Sequence, residues 1–102
     1  MTHEDFSILM DDITDHLRKT MASKNAEYAP GDDKLANFKK SSRMTGKSVQ
    51  ECLWMFCVKH LVSVQDIVQG ESNYTPELLR EKCGDIRAYT CLLEACMMEQ
   101  NA

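Results

Sequence analysis

The sequence predicts an all-α protein. Three observations carry that expectation. Apolar residues recur at i, i+3 and i+4 in three long stretches, the glycines and prolines fall almost wholly between those stretches, and no segment alternates like a half-buried strand. With 102 residues, 43% of them hydrophobic and 27% charged, the chain has the size for one core. Residues 1–102 are therefore expected to form a single domain, a small helical bundle of three long helices and one short one that associates into an oligomer.

The first helix is expected from about residue 3 to about residue 23 or slightly beyond. Phe6, Leu9, Met10, Ile13, Leu17 and Met21 form its stripe, with acids at its start and Arg18 and Lys19 late in it. A turn-forming run, Glu27 to Asp33, follows, and then a short helix in the stretch Lys34 to Met44, where Leu35 and Phe38 stand three apart. Ser48 with Glu51 three residues later is a capping-box pattern. It opens a long helix whose periodicity runs through Leu53, Phe56, Cys57, Leu61, Val64 and Val68 to Gly70. Thr75 before Pro76 marks the N-cap of the last helix, with Leu79, Cys83, Ile86, Thr90, Leu93 and Met97 on one face. Gly84 alone among the glycines falls inside a helical stretch.

Composition excludes several classes of function. There are 12 Lys+Arg against 16 Asp+Glu, a net charge of −4, which gives no general field for a nucleic-acid backbone. No apolar run approaches the ~20 residues of a membrane span, and the start Met1 to Asp5 is acidic, so a cytoplasmic location without membrane association is expected. The five cysteines lie in apolar stretches and read as reduced, small hydrophobes. The spacings 52/57 and 91/96 turn paired thiols about 140° apart on a helix, which argues against a zinc site.

The run Cys52 to Val58 is apolar all round its helix, a pattern that asks for cover on more than one side. The side opposite the main stripe mixes Met55 and Val62 with Lys59 and Asp66, which fits a solvated face, a subunit interface or a ligand cleft. The apolar run favours association as a homodimer or a higher oligomer.

Some polar residues stand where apolar ones are expected. On the last helix Asp85 falls within the apolar arc between Leu78, Tyr89, Leu92 and Cys96, with Glu81 one turn before it and Lys82 on the same side. A buried carboxylate must be paired with a base such as Lys82 or Lys59, bound to a metal, or opened to a cleft. Continuing the first helix by its spacing brings Lys24, Glu27 and Tyr28 onto the core side. If these helix ends meet, Lys24, Glu27, Lys59, Asp66, Glu81 and Asp85 supply carboxylates for a hard cation such as Mg²⁺ and ammonium groups for phosphate. His60 falls in the apolar stripe and reads as a hydrogen-bonded core histidine. No phosphate-cradling Gly-rich loop, nucleophile elbow or H-E-x-x-H pair occurs.

A succession of short blocks adds to this reading: Lys24 to Ala29, Asp32-Asp33, Asn37-Phe38, Lys59 to Ser63 with Asp66, and Glu81 to Asp85 with Tyr89. In this order they resemble small phage-encoded proteins related to the all-α, MazG-like nucleoside triphosphate pyrophosphohydrolases. The resemblance spans residues 16 to 99. It implies a homodimeric or homotetrameric enzyme that cleaves a (d)NTP to monophosphate and pyrophosphate with Mg²⁺. Glu81 and Asp85 would be catalytic. Glu27, Asp66, Glu81 and Asp85 would hold the metal, and Lys24, Asn37, Lys59 and Tyr89 would contact the nucleotide. The chain departs from that family in lacking its E-E-x-x-E motif and in carrying Lys82 three residues before Asp85. The thinner acidic set suits equally a protein that binds or sequesters a nucleotide without hydrolysing it, and a small helical inhibitor of a host protein is the remaining alternative.

Overall fold

The computed structural model describes residues 1–28 and 31–101, with side chains for all of these but 24–28. Four helices account for most of them: α1 (His3–Tyr28), α2 (Ala36–Thr45), α3 (Val49–Val68) and α4 (Pro76–Gln100). No strand occurs among the described residues. The all-α expectation and its three long helices with one short helix are thus met.

Local chemistry explains where each helix begins and ends. At the start of α1, Thr2 Oγ1 accepts from the Asp5 backbone N–H at 3.0 Å, and Glu4 and Asp5 place negative charge in the first turn, where the helix dipole favours it. The helix then continues to Tyr28, farther than its apolar stripe shows, because no glycine or proline interrupts it before Pro30. α2 stops at Gly46, whose φ of 75° only glycine adopts readily. α3 opens on the anticipated capping box, with Ser48 Oγ accepting from the Glu51 N–H at 3.1 Å and Glu51 Oε1 accepting from the Ser48 N–H at 3.2 Å. α4 opens on Thr75, whose Oγ1 accepts from the Leu78 N–H at 3.1 Å, with Pro76 in the first turn.

The register between helices can be read from pairs of side chains. Gln50 meets Gln100 and His60 meets Asp85, so α3 and α4 run antiparallel. Arg80 donates to Asp12 at 3.2 Å and His16 lies against Gly84 one turn further along both helices, so α1 runs parallel to α4. α2 folds back on α3, with Phe38 edge-on to Phe56. α4 therefore lies between α1 and α3, and α2 flanks α3. Lys39 clamps this corner, reaching Asp33 at 2.8 Å and Glu99 at 2.9 Å. Hydrogen bonds to those two carboxylates hold the Lys39 ammonium above its ordinary pKa.

The core gathers at the end where α3 begins and α4 finishes. Leu35, Leu53, Leu92 and Cys96 form it, with Met21 and Phe38 packed against them, and Leu53 is fully covered. Lys34 Nζ donates to the Met21 carbonyl at 2.7 Å and ties the segment before α2 to α1. The opposite end is thin, and residues 3–8 of α1 are all exposed.

The stretch Cys52 to Val58 is covered only in part, as its all-round apolar character in so small a bundle predicts. Cys52, Leu53 and Cys57 are buried, but Trp54 and Met55 stay exposed in the single chain, and Phe56, set against Phe38 of α2 and Tyr89 of α4, is still 42% exposed. All five cysteines are free thiols. Among the described residues no helix is long and apolar enough to cross a membrane.

Candidate functional site

Two pairs spaced i, i+4 build the candidate site. Phe56 and His60 stand one turn apart on α3, and Asp85 and Tyr89 stand one turn apart on α4, so each pair lies along one face of its helix. The antiparallel register brings the pairs face to face. Tyr89 stacks on Phe56 with centroids 5.9 Å apart and planes 8° apart, and on His60 at 5.1 Å and 21°. Phe38 of α2 meets both Phe56 and Tyr89 edge-on, at 5.9 and 6.2 Å. These are the offset and edge-to-face geometries that aromatic quadrupoles favour.

His60 Nδ1 lies 3.4 Å from Asp85 Oδ2, and the two side chains are 21% and 18% exposed. The pair is ionic on both sides only when the imidazole is protonated. Asp85 is thus half-buried within an apolar arc, as its position on the helix predicts. The base set against it among the described residues is His60, not Lys82 or Lys59. Lys59 and His60 are consecutive on α3 and point about 100° apart; His60 meets Asp85 and Lys59 is exposed.

The other anticipated residues are more dispersed. Lys59 is exposed and its backbone carbonyl accepts from Ser63 Oγ. Asp66 is half-buried near the end of α3, Glu81 is exposed one turn before Asp85, and Asn37 is exposed on α2. The side chains of Lys24 and Glu27 lie outside the described residues. Among the described residues no three His, Cys, Asp or Glu side chains converge as they must to cage a metal ion. Glu27, the remaining acid of the anticipated set, lies outside the residues whose side chains are described.

Sequence reasoning named Asp85 and Tyr89 but missed the ring cluster around them. The signal was present as two i, i+4 pairs, each joining an aromatic to a titratable residue, on helices whose short connection makes them antiparallel neighbours. Nucleophilic chemistry at the deepest thiols is disfavoured, because burial pushes the pKa of Cys57 and of Cys96 up and leaves both as thiols near neutrality. No family model, curated protein or solved structure matches the chain.

Proposed function

We propose that this chain is a nucleotide-binding protein whose ligand meets the α3–α4 seam at Asp85, His60 and Tyr89. The observation that supports the reading is a half-buried carboxylate 3.4 Å from an imidazole, both beside a stack of aromatic rings. Flat rings with an exposed edge suit a nucleobase, which extends a stack at about 1–3 kcal/mol per base. A carboxylate beside the stack accepts from an exocyclic amine of the base. Lys59, exposed next to His60, offers a point charge to phosphate oxygens. Lys24 and Asn37 belong to the same reading through the order of blocks in the sequence.

Mg²⁺-dependent release of pyrophosphate is the enzymatic form of this proposal, with Glu27, Asp66, Glu81 and Asp85 as the acidic set. Binding without hydrolysis is the form that the dispersed described acids favour. One experiment separates them. The protein is incubated with a panel of NTPs and dNTPs with and without Mg²⁺, and both bound nucleotide and released pyrophosphate are measured. Binding is expected for wild type, reduced in Lys59→Met and lost in Asp85→Asn with the helical signal retained. Pyrophosphate release that requires Mg²⁺ selects the enzyme, and absence of binding across the panel refutes the nucleotide reading.

A further inference from the structure

The single chain leaves too much of itself uncovered for its size. A compact monomer of this mass exposes about 5,900 Å², whereas this chain of 11.7 kDa exposes 7407 Å². Its radius of gyration is 15.4 Å, against about 13 Å for a compact domain of this length. The surplus of about 1,500 Å² per chain is nearly twice what each partner contributes to a standard protein interface, about 800 Å².

Charge is segregated along the same molecule. Residues 1–15 hold five acids, Glu4, Asp5, Asp11, Asp12 and Asp15, with no Lys or Arg. Residues 34–47 hold five bases, Lys34, Lys39, Lys40, Arg43 and Lys47, with no acid. The two blocks lie at opposite ends of the fold, since the start of α1 is level with the start of α4, while α2 packs near the start of α3 and reaches Glu99 near the end of α4.

Part of each block is already engaged within the chain: Asp12 meets Arg80, Asp15 meets Lys19, and Lys39 meets Asp33 and Glu99. What remains is arranged with matching shape. On α1, Glu4, Ile8 and Asp11 follow one helical face, and Ile8 is 62% exposed. On α2, Lys40, Arg43 and Met44 share a face, and Met44 is 79% exposed. Each patch is an uncovered apolar side chain flanked by charges, and the charges of the two patches are opposite in sign.

We infer that a second copy of this chain packs against the first so that the acidic start of α1 in each copy meets the basic α2 of the other. Where a two-fold axis relates the copies, the same two patches are used twice, and the assembly closes at a dimer. It covers Ile8 and Met44, which the single chain leaves bare. It stands on surface area and charge placement and does not depend on nucleotide binding.

Charge reversal in pairs tests this. Wild-type protein is compared by sedimentation with Glu4→Lys/Asp11→Lys and with Lys40→Glu/Arg43→Glu, all exposed positions on helix surfaces, with circular dichroism as the check on folding. Wild type is expected to sediment at twice 11.7 kDa. Each variant alone juxtaposes like charges and is expected to raise the dimer dissociation constant at least tenfold. An equimolar mixture of the two variants restores both contacts, and a heterodimer reappears. A wild-type monomer at tens of micromolar overturns the inference. So does a dimer that both variants leave intact, or a mixture that fails to recover the dimer.

Discussion

Replacing Tyr89 with leucine tests whether the ring cluster holds α2, α3 and α4 together. Tyr89 touches Phe56 at 5.9 Å, Phe38 at 6.2 Å and His60 at 5.1 Å, and it packs against the core of Leu35, Leu53, Leu92 and Cys96. Leucine keeps an apolar side chain on α4 but abolishes these ring contacts with described residues. Aromatic pairs contribute about 0.5–1.5 kcal/mol each beyond the area they bury. Three such contacts sharing one ring do not add fully, which gives a loss of about 2–3 kcal/mol when the incomplete filling of the site is included. For a domain of this length that corresponds to a fall in Tm of roughly 8–24 °C. Urea and thermal unfolding followed by circular dichroism measure it, at one fixed protein concentration because association changes apparent stability. A second variant, Phe56→Leu, combined with the first in a double-mutant cycle, is expected to show a coupling of at least about 0.5 kcal/mol. A loss below about 1 kcal/mol in Tyr89→Leu, or strict additivity with Phe56→Leu, would show that the rings lie together without holding the helices together.

Two further substitutions probe helix formation directly. Gly84→Ala is expected to stabilise the fold by up to about 1 kcal/mol, because the added methyl meets only His16, at 3.4 and 3.6 Å, and His16 Nδ1 has no hydrogen-bond partner to lose. A lowered Tm would show that the α1–α4 seam has no room for that methyl. Glu51→Gln is expected to flatten the acid limb of the stability curve while keeping the capping box: hydrogen bonds from Ser48 hold the Glu51 pKa below its ordinary value, so its contribution is present at neutral pH and is lost as pH falls below about 4. Urea midpoints at neutral and acid pH measure the difference, and an unchanged acid limb would remove Glu51 from the account.

The helix ends were legible in the sequence because each is marked by side chains that act within a few residues: Ser48 with Glu51, Thr75 with Pro76, and Gly46. The end of α1 was less so, since amphipathic spacing fades after Met21 while helical backbone continues to Tyr28. The site was half legible. Periodicity places Asp85 on the apolar face of α4, but it cannot name the residue across from it. That identity depends on the antiparallel register with α3, which selects His60 over its neighbour Lys59. The apolar run from Cys52 to Val58 shows the same division. It states that these side chains need cover, yet one chain covers Leu53 and Cys57 and leaves Trp54 50% exposed. A net charge of −4 averages over an acidic block at residues 1–15 and a basic block at residues 34–47, and only the fold puts those blocks at opposite ends of one molecule. In the proposed dimer the reverse orientation of the two copies sets unlike charges at both contacts, so the same blocks that cancel in the net charge act separately.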